Sequence, residues 1–188
     1  MKKIISLYGL AAAGKTTQAD LLAKKYGFKE FGMGETLRAE INSGSELGKE
    51  IKISVDQGVL IPDELMKQVL KKIDSDIKET GLIFDGFPRM IPQAEMLDEI
   101  MTEMNLDFDL FILLDISYEE AQKRISDRAE VGGRADDKDP KVVANRLEVF
   151  RQESTQLINY YQAKGKFVKI DGSLSIPEVF AEIEKHIL

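Results

Sequence analysis

A doubly wound α/β domain, with a five-stranded parallel sheet covered by helices on both faces, is the fold this sequence predicts. Short apolar runs alternate with longer amphipathic segments along the whole chain, the pattern of β-α units whose crossovers lie on the two sides of a parallel sheet. The apolar runs are rich in Ile, Leu, Val and Phe, as buried strands require. Three candidate sites, the loop after Tyr8, Asp85 and Asp115, fall where three of those runs end. Ligands of such sheets bind beyond the carboxyl ends of the strands.

The first strand is KIISLYG (3–9), a short apolar run closed by glycine, and a helix follows from Lys15 to Tyr26, with Ala19, Leu22, Ala23 and Tyr26 at helical spacing. A short strand is expected at FKEF (28–31). Three further strands are GLIFDGF (81–87), DLFILLDI (109–116) and KFVKID (166–171). Amphipathic helical segments cover 62–79, 90–104, 118–129, 140–164 and 177–187. Two stretches break this rhythm: residues 32–61, and the glycine-rich, charged AEVGGRADDKD (129–139). A chain of 188 residues, 43% hydrophobic and 31% charged, makes one domain over 1–188 with small excursions at those two places.

Composition narrows the function classes. Cysteine is absent, which excludes a disulfide framework and a thiolate metal site. The opening MKKIISLYGLAAAGK starts like a secretion signal, but its apolar run ends at Lys15 without a cleavage region, and no later segment spans a bilayer, so a cytoplasmic location away from membranes is expected. A net charge of -7 argues against a broad nucleic-acid surface and leaves phosphate binding to local positive clusters. Arginine occurs only at positions 38, 89, 124, 128, 134, 146 and 151, while lysine supplies the rest of the 26 basic residues. Arginine's planar fork suits bidentate binding of phosphate, so each position is a candidate ligand, although surface ion pairing would also explain several.

YGLAAAGKTTQA (8–19) contains Gly9, four residues, then Gly14, Lys15 and Thr16, which is G-x-x-x-x-G-K-[ST] between a predicted strand and a predicted helix. Backbone N–H groups of such a loop converge on phosphate oxygens, and the helix N-terminus adds partial positive charge. Lys15 would bridge the terminal phosphates, and the hydroxyl of Thr16 or Thr17 would hold Mg2+ or a phosphate oxygen. The alternative, a helix whose first turn is Ala11, Ala12 and Ala13, is disfavoured by the strand-loop-helix context. Alanine is small enough to leave the backbone open, but it is worse than glycine wherever φ is positive.

FDGFPR (84–89), with Gln93 after it, is the second constellation. A buried strand delivers Asp85 to its exposed end, Gly86 allows close approach of a ligand, and Pro88 stiffens the turn that presents Arg89. Taken alone it reads equally well as an ordinary strand-to-helix turn.

In this setting the chain resembles the adenylate kinase family of nucleoside monophosphate kinases, in its short-lid form. GLAAAGKTTQA is similar to the family's phosphate loop and GFPR with Gln93 to its monophosphate-site signature. MGETLR (33–38) stands in the place of a usual Ser/Thr-Gly-Asp-x-x-Arg, DQGVLIPDEL (56–65) in that of the next segment, and RISDR with GRADD (124–137) in that of the lid. NRLEVF (145–150) and KIDGS (169–173) continue the similarity.

The resemblance implies transfer of the terminal phosphoryl group of Mg-ATP to AMP, giving two ADP, by a monomer. It implies an ATP site formed by Gly9, Ala12, Ala13, Gly14, Lys15, Thr16 and Thr17, with Arg124 against the adenine, Arg128 at the phosphates and Gly172 near the base. For AMP it implies Arg38 and Arg89 at the phosphate and Gln93 at the adenine. Met33, Gly34, Val59, Leu60, Ile61 and Gly86 complete that pocket, and Arg134 and Arg146 reach it too. Lys15, Arg89, Arg128, Arg134 and Arg146 would surround the migrating group, with Asp136 and Asp137 fixing the lid arginines. Thr16 and Asp85 would serve Mg2+, partly through water. Residues 32–61 would form the monophosphate-binding region and 129–138 a short lid, too short, and lacking cysteine, for the zinc-bearing lid of some relatives.

The chemistry agrees with these roles. Phosphoryl transfer needs donor and acceptor in line, positive charge around the moving group and exclusion of water, for which mobile covers are the usual device. Arg124 and Arg128 share a helix face, although Glu120 could pair with Arg124 at i,i+4. His186, the only histidine, reads as a helix-end or surface residue. Departures from the family pattern are Ala12 for glycine, Met33 for serine or threonine, Glu35 for aspartate, and one extra residue between Asp137 and Arg146. Two other readings stand beside adenylate kinase: a UMP, CMP or other monophosphate kinase, and an ATP-binding switch or assembly factor with little transfer. Gln93 favours AMP, and the arginine set favours transfer.

Overall fold

The computed structural model describes residues 3–56, 61–73, 77–130 and 140–188. Its five strands, β1 (Ile4–Tyr8), β2 (Lys29–Gly32), β3 (Leu82–Asp85), β4 (Leu110–Asp115) and β5 (Phe167–Asp171), form one sheet in the order β2-β3-β1-β4-β5. Every adjacent pair is parallel. The central position of β1, with β3 on one side and β4 on the other, makes its carboxyl end the place where the chain's direction across the sheet switches.

Side-chain alternation explains why both faces are covered. Ile5 and Leu7 point to one face with Ile83, Ile112 and Leu114, and pack under α1 (Lys15–Tyr26) and α9 (Ile176–Ile187) through Leu22 and Ile183. Ile4 and Tyr8 lie with Phe84, Phe111 and Leu113 on the other face, under α4 (Asp63–Leu70), α6 (Ile91–Glu103) and α8 (Pro140–Ala163), through Val69, Leu97 and Tyr161. With two apolar faces, the strands have the sequence character of a buried parallel sheet.

The interruption at 32–61 contains two helices, α2 (Met33–Ser43) and α3 (Glu46–Asp56). The expected helix 62–79 is instead α4 and a short α5 (Ile77–Thr80). Lys72 N and Ile73 N donate to Val69 O and Leu70 O at 3.2 and 3.0 Å, the tightened bonding of a helix that is ending. The other helices, α6, α7 (Tyr118–Glu130), α8 and α9, lie within a residue or two of the sequence expectation. Ser175, which precedes α9, forms a capping box with Glu178. Among the described residues no helix is long and apolar enough to cross a membrane.

Candidate active site

The register of the sheet builds the site. Leu7 on β1 and Gly32 on β2 both pair with Asp85 on β3, so three strands end in one row and the loops after them emerge together. From β1 the chain turns at Gly9, whose φ of +146° favours glycine; a Cβ there would lie 2.5 Å from Leu114 O, so the loop must run hard against β4. Ala12 has φ 63°. The positive φ that makes alanine costly thus falls on the position where the sequence departs from glycine. Gly14, at φ 96°, is the N-cap of α1 and supplies no side-chain acceptor. The first-turn N–H groups of α1 are the kind of donors that bind phosphate. Lys15 Nζ lies across this loop, donating to Gly9 O at 2.9 Å and Leu10 O at 2.7 Å.

Thr16, next on α1, donates from Oγ1 to Asp85 Oδ2 at 2.5 Å. A hydroxyl and a carboxylate at the phosphate-binding end of a helix are hard oxygen donors, a set that fits Mg2+. Among the described residues no group of three or more His, Cys, Asp or Glu side chains is arranged to hold a metal ion.

After Asp85 the chain makes a tight turn. A Cβ on Gly86 would sit 3.6 Å from Lys15 Cε and 3.3 Å from Arg89 Nη2, so the lysine and the arginine both approach the same glycine. Arg89 Nε donates to Gly86 O at 2.7 Å, and its backbone N–H donates to Gln93 Oε1 at 2.8 Å. Gln93, in the first turn of α6, therefore holds the turn that carries Arg89, with its carbonyl oxygen engaged. From below, the buried Ser6 hydroxyl donates to Phe87 O at 2.6 Å, and the Phe87–Pro88 peptide is cis. Sequence reasoning passed over Ser6. Its signal was a lone polar residue in a buried strand, which must find a partner.

On the other side of the phosphate loop lies a cavity of about 330 Å³ walled by Ala12, Ala13, Gly14, Thr17, Arg124 and Gly172 among others. Arg124 Nη1 donates to Gly172 O at 3.1 Å and its Nε to Glu120 at 2.6 Å, so the helix-face ion pair and the proposed site contact coexist. Six of the residues expected at ATP thus surround one space.

On the opposite flank, α2 starts immediately after Gly32, beside Asp85. Met33 is buried in the core, and Arg38 folds back over Gly34, its Nη1 being 3.3 Å from where a Cβ on that glycine would be. Ile61 packs at the edge of the core. Arg128 stands in the last turn of α7, one turn beyond Arg124, and Arg146 in the first half of α8; both are half-buried. Val59, Leu60, Arg134, Asp136 and Asp137, and the lid over 129–138 apart from Ala129 and Glu130, lie outside the described residues.

Local fields follow this geometry. Burial pushes the Tyr8 hydroxyl well above its ordinary range, and the nearby Arg89 charge opposes that shift. Glu30 on β2 is raised to about 6, chiefly by lost hydration and then by Asp20, Asp85 and Glu35.

A phosphate loop set between a central strand and a helix, with an aspartate at the end of the adjoining strand and an arginine that approaches the same glycine as the loop lysine, defines a nucleotide-dependent phosphotransferase of the phosphate-loop class. The family model for adenylate kinase matches residues 7–166, and the chain belongs to that family. It is 40% identical over 184 residues to an adenylate kinase of Bacteroides fragilis, which covers 97% of both chains. It is 37% identical to one of Parabacteroides distasonis, covering 97% of this chain and 96% of the other. An adenylate kinase of a Synechococcus strain is 38% identical over 179 residues, 95% of this chain and 92% of its own. The protein is an enzyme.

Proposed function

We propose that this enzyme reversibly transfers the terminal phosphoryl group of ATP to AMP, giving two ADP. The observation that carries the reading is the approach of both Lys15 and Arg89 to Gly86, with the Arg124–Gly172 cavity on one flank and the start of α2 on the other. ATP would enter with its base in the cavity and its phosphates on the loop from Gly9 to Thr17. AMP would lie between α2 and the Arg89 turn, with its phosphate on Arg38 and Arg89. An oxygen of the AMP phosphate attacks the γ-phosphorus, that bond forms as the bond to the β–γ bridging oxygen breaks, and Lys15 and Arg89 stabilise the spreading negative charge. Arg128, Arg134 and Arg146 join them from the lid side.

Thr16 and Asp85 would hold Mg2+, which when bound supplies charge neutralisation on the polyphosphate. The same reading has the enzyme work as a cytoplasmic monomer on diffusible nucleotides, with residues 32–61 closing over AMP and 129–138 over ATP. What supports adenylate kinase over a UMP or CMP kinase or an ATP switch is the family match together with the names of the relatives.

A coupled assay of ADP formation with AMP, UMP, CMP or GMP as acceptor tests this directly. Turnover with AMP well above the others is expected. A preference for UMP or CMP would reassign the acceptor, and ATP binding without transfer to any acceptor would leave the switch.

A further inference from the structure

Gln18 has no part in the reading above, yet it is buried to 2% exposure in the first turns of α1, three residues after Lys15. Its Nε2 donates to Ile176 O at 3.0 Å, a bond between residues 158 apart in sequence. Ile176 opens α9 and, with Gly172, Leu174 and Ser175 before it, walls the 330 Å³ cavity opposite the phosphate loop. The near end of that segment is tied twice, by Gly172 N–H to Asp115 O at 2.8 Å and by Arg124 Nη1 to Gly172 O at 3.1 Å. Its far end is tied to α1 by Gln18. The same amide's Oε1 is buried with no partner among the described residues. A buried acceptor in that condition is destabilising, and an apolar side chain of similar length would fill the position without it. Stability alone therefore does not account for an amide here; the bond to Ile176 does.

We propose that Gln18 is a positioning residue for the donor nucleotide: it fixes the 172–176 wall against the phosphate loop, setting the distance between the base and phosphate ends of the ATP site. This rests on the cavity being that site. The role is steric and selective, because among the described residues no hydrogen bond joins this wall to α2 or to the Arg89 turn.

The full-length chain, Gln18→Met and Gln18→Leu are titrated with Mg2+ and the β,γ-imido analogue of ATP, separately with AMP, and are melted without ligand. In both variants the dissociation constant of the analogue should rise by about tenfold, that of AMP should stay within about twofold, and the melting temperature should not fall. Unchanged affinity for the analogue overturns the proposal. So does an equal loss for AMP, or a lowered melting temperature or unfolded protein in both variants, which would make the amide structural. A wild-type chain that binds the analogue but transfers no phosphoryl group overturns the proposed function and leaves this test standing. Failure of the wild-type chain to bind the analogue overturns both.

Discussion

Thr16 Oγ1 donates a hydrogen bond of 2.5 Å to Asp85 Oδ2, joining the first turn of the phosphate-loop helix to the end of the neighbouring strand. The bond brings the two expected magnesium positions together across 69 residues of sequence. Asp85→Asn keeps an oxygen to accept from Thr16 but removes the charge that would attract the cation. The concentration of Mg2+ giving half-maximal activity should rise by about tenfold or more. Activity followed across a Mg2+ titration checks this, and an unshifted curve would remove Asp85 from the metal's surroundings.

Arg89 is anchored by its own Nε to Gly86 O and by its backbone N–H to Gln93, so truncating it leaves the Gln93 tether in place. In Arg89→Ala, transfer should fall by about 100-fold or more, the scale for losing one preorganised charge donor. Binding of ATP, measured by titration in the absence of AMP, should be largely intact, because Lys15 keeps its own bonds to Gly9 O and Leu10 O and the Arg124 cavity is lined from other segments. Retained turnover would exclude Arg89 from the transition state.

Ala12 holds φ 63°, a left-handed conformation that disfavours any side chain. Ala12→Gly removes that strain, at the expense of a more flexible unfolded chain, and a net gain of about 1 kcal/mol in stability is expected. Urea denaturation measures it; a loss of stability would mean that the loop uses the methyl group for packing.

The layered fold was readable because strands buried on both faces leave continuous apolar runs such as ILL in DLFILLDI, and because Gly9, Gly14 and Lys15 fall between a strand and a helix. What pattern reading could not supply were contacts between distant residues. Ser6 looks like an isolated polar residue in an apolar strand, and Gln18 like one more polar residue in the first turn of a helix, until the fold brings Phe87 and Ile176 near them. The split of 62–79 into α4 and α5 was missed because amphipathic spacing continues through the residues where helix bonding changes.

Glu30, an edge-strand carboxylate that has lost hydration and feels the charges of Asp20, Asp85 and Glu35, is raised from an ordinary 4.5 to about 6. The native state therefore holds its proton more tightly than the unfolded chain. That contribution to stability is complete below pH 4.5 and is lost as pH rises through about 6. Glu30→Gln should equal the wild type in stability near pH 4 and exceed it above pH ~7, by less than about 1 kcal/mol, because solvent screens this exposed edge. Denaturant midpoints at the two pH values, in metal-free buffer, check the sign; a variant less stable at the higher pH would mean Glu30 is held by an attraction instead.

Gly48 marks the contact that sets α3 against α2. A Cβ at this position would lie 2.2 Å from Glu40 O and 3.1 Å from Ile41 Cα, both backbone atoms that cannot swing aside. Glu40 itself is fixed, its carboxylate accepting from Lys72 and Ser45 and held below its ordinary pKa by those bonds. Gly48→Ala must therefore push the two helices apart, with an expected loss of about 1–3 kcal/mol, the range for overpacking a close contact. Because α2 carries Arg38 while the cavity on the ATP side is lined from the phosphate loop, α1, α7 and α9, the KM for AMP should rise while the KM for ATP stays nearly constant. Steady-state kinetics with each substrate varied, alongside a thermal melt, separate the two effects; equal changes in both KM values would show that the damage spreads through the whole domain.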